Sequence, residues 1–176
     1  QIQVAKGEKL SFNQKDVQPS GHAIECRIYA ENGFNDFAPS TGIIKEMIIP
    51  QGFGVRFDEG IRVGQTITPY YDPLLGKLIT WGDDRQIALS RMLRALHEFH
   101  VSGIDTTIPF CKTLLSHPSF MKGKYSTNTL IEIQDDLLNK ITQNGNDYLL
   151  AARIGASKMH YKNKVKFISQ NGSKNK

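Results

Sequence analysis

Three side chains capable of polar chemistry recur at every second position in Glu25-x-Arg27-x-Tyr29. Successive side chains of a strand point to opposite faces. These three therefore share one face, and Ile24, Cys26 and Ile28 share the other. A planar guanidinium held beside a carboxylate keeps free N–H donors. Such donors suit a carboxylate, a phosphate or a developing oxyanion. A surface ion pair uses the same residues, so chemistry alone leaves both readings open.

Other candidates are weaker. Tyr70-Tyr71-Asp72-Pro73 sets two aromatics and a carboxylate on a stiff corner, with Pro73 biasing Asp72 towards extended backbone; it reads as a turn or as an interface contact. His97 and His100 stand three apart, with no Cys, Asp or Glu to complete a metal set, and His22, His117 and His160 are isolated. No metal site is expected, and none of the five histidines is assigned to catalysis. Cys26 and Cys111 lie 85 positions apart without a CxxC, which argues against a disulfide scaffold and a structural zinc. Two buried, reduced thiols in a cytosol-like compartment are expected. There is no GxxxxGK[ST], no GxGxxG after a strand, no GxSxG and no HExxH. The two glycines of Gln51-Gly52-Phe53-Gly54 read as the approach to a hairpin.

The elements that must position these residues follow from periodicity and turn chemistry. Residues 1–20 form an opening segment. Gly21 starts a strand from His22 to Ala30, and Glu31 to Gly42 is rich in turn formers. Ile43 to Ile49 is β-rich and stops at Pro50. Val55–Phe57 and Ile61–Val63 read as a hairpin over Asp58-Glu59-Gly60, with Gly60 left-handed. Thr66–Thr68 is a further strand, and Leu74–Trp81 is another, interrupted by Gly76.

The period then lengthens. Asp83 or Asp84 caps a helix reaching His100, with Ala88, Met92, Ala95 and Phe99 on one stripe and Gly103 at C′. A second helix starts at Thr107-Ile108-Pro109 and ends before Pro118. Phe120 to Lys124 is a loop, Ser126 or Thr127 caps a third helix to about Thr142, and a fourth runs from Asp147 to about Lys162. Residues 169–176 are expected to be disordered. Strands followed by helices, without βαβ alternation, predict an α+β domain: a mainly antiparallel sheet and then packed helices.

Length and charge set the frame. The 176 residues suffice for one domain with a core and a short appendage. No apolar run approaches the roughly 20 residues of a membrane span. No basic stretch precedes an apolar core near Gln1, so no secretory leader is read. The first residue is not Met, and the chain is expected to be excised from something longer, or processed. The net charge is +5. From Tyr148 to Lys176 there are seven basic residues and no acidic one, leaving 15 basic against 17 acidic residues elsewhere. The body is close to neutral and only the tail is basic. A solvated tail is therefore preferred to a nucleic-acid arm.

The run Gly21-His22-Ala23-Ile24-Glu25-Cys26-Arg27-Ile28-Tyr29-Ala30-Glu31 resembles the opening of the C-terminal domain of biotin carboxylase. Later blocks resemble that family in the same order. They are Phe37-Ala38-Pro39-Ser40-Thr41-Gly42, Gly52-Phe53-Gly54-Val55-Arg56, Tyr70-Tyr71-Asp72-Pro73-Leu74-Leu75-Gly76-Lys77-Leu78, Gly103-Ile104-Asp105-Thr106-Thr107-Ile108 and Phe120-Met121-Lys122-Gly123-Lys124-Tyr125-Ser126-Thr127. The resemblance spans roughly Val4 to Leu130.

The resemblance implies a hybrid-like α+β fold and a part in ATP-dependent carboxylation of biotin. In that family bicarbonate and ATP give carboxyphosphate, which releases CO2 to the deprotonated ureido nitrogen. An arginine at the position of Arg27 lies by the ureido oxygen and stabilises the enolate. Glu25 would orient it, and Phe53, Arg56 and Asp72 match positions near a subunit interface. The ATP-grasp region, which holds ATP and magnesium, and the biotinylation motif are not in this sequence. Biotin would arrive on a carrier domain outside this chain, and the fragment alone would be inactive.

The implied partners are the upstream ATP-grasp region, the biotin carboxyl carrier domain, a second copy as a homodimer, and a carboxyltransferase subunit. No nucleic acid or membrane partner is implied. The implied compartment is the cytoplasm, or the mitochondrial matrix in a eukaryote. The stretch after Leu130 resembles the connection into later domains of acyl-CoA carboxylase α chains. Residues 1–142 are accordingly read as the domain, and residues 143–176 as a trailing helix and basic linker. An assembly or interaction domain without a direct catalytic role is the alternative.

Overall fold

The structure is a computed structural model and describes residues 1–33, 35–133, 135–137 and 139. The fourth helix and the basic tail expected from the sequence lie outside the described residues. Within them the fold is α+β, as expected. Strand β1 (His22–Tyr29) and helix α1 (Ile2–Ala5) precede the short strands β2 (Glu31–Asn32), β3 (Ala38–Pro39), β4 (Gly42–Ile43) and β5 (Glu46–Ile48). Strands β6 (Val55–Glu59), β7 (Thr66–Ile67) and β8 (Leu74–Gly82) lead to helix α2 (Arg85–Glu98) and strand β9 (His100–Ser102). Helices α3 (Ile108–Leu115) and α4 (Pro118–Met121) come next, and residues 129–133 are helical.

The central sheet has the order β1-β8-β6, and both pairings are antiparallel. The alternation in β1 does what its period requires: Ile24, Cys26 and Ile28 are buried, and Glu25 and Arg27 are exposed. Its buried face meets Leu75, Leu78 and Thr80 of β8 and the stripe Ala88, Met92, Ala95 and Leu96 of α2. Thr80 is fully buried, and its hydroxyl donates to the Ala88 carbonyl at 2.9 Å. That bond removes the cost of a stranded polar group between sheet and helix. Asp84 is the N-cap of α2, its carboxylate accepting from the Ile87 N–H at 2.8 Å.

Several local expectations are corrected. Val55–Glu59 does form a strand, but it pairs with β8 and not with Ile61–Val63. Ile61 is buried in the core, and its burial competes with a place in a two-stranded ribbon. Gly60 is not left-handed; Gly64 is, at φ +87°. Helix α2 ends at Glu98, because His100–Ser102 is drawn out as β9 to pair with β5. Gly103 is therefore no helix C′ residue. It turns the chain after β9 at φ +99°, where an added Cβ would strike the Ile43 carbonyl. The predicted loops also carry structure. Within 31–42, β2 pairs with β3, and Phe120 and Met121 close α4. The single β-run Ile43–Ile49 divides into β4, paired with β7, and β5.

Gly76 does not interrupt β8. It gives the Phe57 ring room: an added Cβ would meet that ring and, at 2.8 Å, the Asp58 carbonyl. Phe57 in turn lies edge-on to Phe99, with centroids 5.0 Å apart, so one missing side chain lets β6 close on the core.

Candidate functional site

Strand β1 carries Glu25, Arg27 and Tyr29 on its outer face. Tyr29 is only partly exposed, because a register shift falls between Ile28 and Tyr29. Such an irregularity re-aims the side chain beside it. The Tyr29 backbone is tied to α3 by two bonds. Its N–H donates to Thr107 Oγ1 at 3.0 Å, and its carbonyl accepts from the Thr107 N–H at 3.1 Å.

Arg27 Nε donates to the Tyr29 hydroxyl oxygen at 2.6 Å, and its guanidinium carbon lies 5.4 Å from the Tyr29 ring centroid. The partner that orients Arg27 is thus Tyr29, two residues on. The Tyr29 oxygen, with the charges of Asp72 and Glu25 behind it, raises the Arg27 pKa against the effect of its surroundings. A guanidinium bonded through Nε still has the N–H groups of both terminal nitrogens to offer. A fixed cation with two spare donor groups is what an enolate or carboxylate oxygen requires.

Two residues not singled out by their spacing belong to this neighbourhood. Lys77 stands opposite Arg27 in the β1–β8 register, on the same outer face. Its signal in the sequence is a single lysine within the apolar run of β8. Glu31 lines a cavity of about 480 Å³ together with Arg27, Tyr29, Thr107, Phe110 and Cys111. Burial and the nearby charge of Asp72 push the Glu31 carboxyl above its ordinary pKa. Nothing in the spacing of Glu31 points to the cavity, since α3 supplies the opposite wall. Phe37, held at φ +55°, meets Phe110 edge-on at 4.8 Å beside it.

The predicted interface residues separate into two places. Phe53 is 78% exposed on the turn before β6, with the Arg91 guanidinium 4.8 Å above its ring. Arg56 forms an exposed ion pair with Asp58 at 3.0 Å. Both belong to the β6 side of the sheet. Asp72 lies at the opposite end of β8. There its carboxylate accepts the Leu74 N–H at 2.8 Å, and its charge acts on Arg27 and Glu31. Tyr70 and Tyr71, before it, are 84% and 83% exposed.

Among the described residues, no group of three His, Cys, Asp or Glu side chains could hold a metal ion. Among them, too, no helix is long and apolar enough to cross a membrane. Cys26 and Cys111 are free thiols; Cys26 is buried as expected, whereas Cys111 is only half-buried because it borders the cavity.

Residues 25–132 match the family described as the biotin carboxylase C-terminal domain. A pyruvate carboxylase subunit of Methanothermobacter thermautotrophicus is 49% identical over 132 residues, covering 75% of this chain and 27% of the relative. Biotin carboxylase 1 of Bacillus subtilis is 50% identical over 130 residues, covering 74% and 29%. Among solved structures, the biotin carboxylase domain dimer of Hydrogenobacter thermophilus 2-oxoglutarate carboxylase, in complex with MgADP, ADP and bicarbonate, superposes with a TM-score of 0.74. It is 40% identical, with 77% of this chain and 30% of that chain covered. The chain spans less than a third of the length of each of these three. The ordered blocks, the antiparallel sheet and the matched span converge: the chain belongs to the biotin carboxylase C-terminal domain family.

Proposed function

We propose that this chain forms the biotin-side wall of the active site of an ATP- and bicarbonate-dependent biotin carboxylase. The observation that carries the reading is Arg27, exposed on β1 and bonded through Nε to Tyr29, with its terminal N–H groups free for an oxyanion. Biotin, brought on a carrier domain outside this chain, supplies the ureido nitrogen that takes up the carboxyl group. Arg27 donates to the oxygen that gains negative charge as that nitrogen is deprotonated. Tyr29 holds the guanidinium plane. Glu25 and Asp72 add negative potential behind it, which keeps the cation in place without occupying its outer donors.

ATP and Mg²⁺ fall to an upstream ATP-grasp region. The described residues offer no metal-holding group, and the sequence has no phosphate loop. The fragment alone is inactive on this reading. Residues 1–142 form the domain, and residues 143–176 connect it to a following domain. The exposed Phe53 and Arg56 suit a contact with a second copy, and the relative from Hydrogenobacter thermophilus was solved as a domain dimer.

We assign an acyl-CoA as the final acceptor, from the resemblance of the stretch after Leu130 to acyl-CoA carboxylase α chains. A carboxyltransferase subunit would complete that enzyme. A 2-oxo acid is the competing acceptor, since relatives are named for pyruvate and 2-oxoglutarate carboxylation.

The test is carboxylation of free biotin with ATP, Mg²⁺ and bicarbonate. It is run on this chain alone, on the chain mixed with the upstream region, and on the intact enzyme with and without Arg27→Ala. Activity in the intact enzyme and its loss on Arg27→Ala are expected. Turnover by this chain alone, or normal turnover in the variant, overturns the reading. In the latter case the assembly role remains.

A further inference from the structure

Thr107 stands at the N-cap of α3, where a threonine ordinarily turns its hydroxyl oxygen to a backbone N–H of its own first helical turn. Here it does not. The Thr107 side chain makes no capping bond to α3, and Pro109 leaves that turn one N–H short. The hydroxyl oxygen instead accepts the Tyr29 N–H at 3.0 Å, and the Thr107 N–H donates to the Tyr29 carbonyl at 3.1 Å. The Thr107 carbonyl serves the helix, accepting from the Cys111 N–H at 2.9 Å. Thr107 is 5% exposed, so its bonds to Tyr29 are largely shielded from water.

These bonds fall where the sheet holds Tyr29 least. Strand β1 is at the edge of the central sheet, and its register with β8 breaks between Ile28 and Tyr29, where Leu74 and not Leu75 becomes the partner. At such a break the ladder is locally disrupted and no longer fixes the direction of the residue beside it. Among the described residues, the hydrogen-bond partner of the Arg27 guanidinium is the Tyr29 hydroxyl, 2.6 Å from Nε. Arg27 is exposed, so packing does not hold its side chain.

We infer that Thr107 is a positioning residue for Arg27. It fixes the Tyr29 backbone from α3. The ring so fixed presents its oxygen to Arg27 Nε, and the two terminal nitrogens are aimed outward. This role rests on the carboxylase reading, because it sets the aim of the donor that meets the ureido oxygen.

Loss of the Thr107 hydroxyl leaves the Tyr29 N–H without its acceptor and frees the end of β1. A misaimed donor is felt when negative charge develops on the oxygen, so the effect belongs in kcat and not in ATP binding. Once the Tyr29 hydroxyl is removed, the link is cut, and Thr107 has nothing left to convey to Arg27.

The experiment is steady-state carboxylation of free biotin by the intact enzyme and by Thr107→Val, Tyr29→Phe, their double variant, Thr107→Ser and Arg27→Ala. Thr107→Val is expected to lower kcat about three- to fivefold, the scale of one hydrogen bond, with KM for ATP unchanged. Thr107→Ser keeps the acceptor and is expected to recover most of the rate. In the Tyr29→Phe background, Thr107→Val is expected to cost less than about 1.5-fold further, the mark of two residues acting through one contact. Equal losses in both backgrounds overturn the inference, because they mark a role in the fold alone, as does an unaltered kcat in Thr107→Val. Thr107→Ala enters the same cycle and decides the matter if the valine variant does not fold. Normal turnover in Arg27→Ala removes the carboxylase reading and this role with it. An impaired Arg27→Ala beside an insensitive Thr107→Val removes this role alone.

Discussion

The Tyr29 hydroxyl oxygen sits 2.6 Å from Arg27 Nε, so the exposed cation of β1 is oriented from its own strand. Glu25 shares the face but contributes only its charge. This relationship separates two effects in mutants of the intact enzyme. Arg27→Ala removes the donor itself and is expected to lower the rate of biotin carboxylation by about 10²–10³-fold. Tyr29→Phe keeps the ring and removes only the acceptor. It is expected to lower kcat about five- to tenfold, the worth of about 1 kcal/mol, with KM for ATP unchanged. Arg27→Lys should not rescue, because an ammonium cannot bond to Tyr29 and present a planar pair of donor groups together. Steady-state kinetics on free biotin checks all three.

Glu31 gives a pH dependence with a definite sign. Burial and Asp72 raise its folded-state pKa above the ordinary value of 4.5. The folded form therefore binds this proton more tightly than the unfolded form. Ionised Glu31 is a cost to stability that is full above the raised pKa and vanishes below about the ordinary value. Glu31→Gln should raise the urea midpoint at pH 7.5 and lose that advantage as the pH falls to about 4. An advantage that grew on acidification would refute the assignment.

Gly76→Ala places a methyl group against the Phe57 ring and the Asp58 carbonyl. Over-packing of this kind costs about 1–3 kcal/mol. Phe57→Leu in the same chain should recover part of the loss by making room. Denaturant unfolding of the single and double variants measures the coupling.

Asp84 caps α2 through the Ile87 N–H. Asp84→Ala is expected to cost about 1 kcal/mol, and Asp84→Asn much less, because the amide oxygen can accept the same bond. Thermal unfolding of the three proteins distinguishes a lost cap from a lost charge.

Phe53 and Arg56 are exposed near one another on the β6 side, whereas Asp72 belongs to the Arg27 end. Phe53→Ala with Arg56→Glu should shift the intact enzyme towards monomer in sedimentation, with Asp72→Asn leaving the mass unchanged. An unaltered dimer in the double variant removes that surface as the interface.

The amino-acid sequence alone determined the parts of this protein whose physics is local. The period of two in His22–Tyr29 is enough to bury Ile24, Cys26 and Ile28 and expose Arg27. The stripe from Ala88 to Leu96 and the short carboxylate of Asp84 are enough to start α2 and choose its buried face. The ordered blocks from Gly21 to Thr127 carried the family.

Partner choice was decided only in three dimensions. Val55–Glu59 reads as half of a local hairpin, yet β8 is the better partner, because pairing there also buries Phe57 against Phe99, and Ile61 is buried separately. The end of α2 is set by β5, which offers Glu46–Ile48 to His100–Ser102 and outcompetes another helical turn. The site divides in the same way. Arg27 was legible as a donor. Tyr29 was legible as sharing its face, whereas Glu31 and Cys111 at one cavity depend on α3 folding back over β1, a contact between segments some 80 residues apart that no spacing rule encodes.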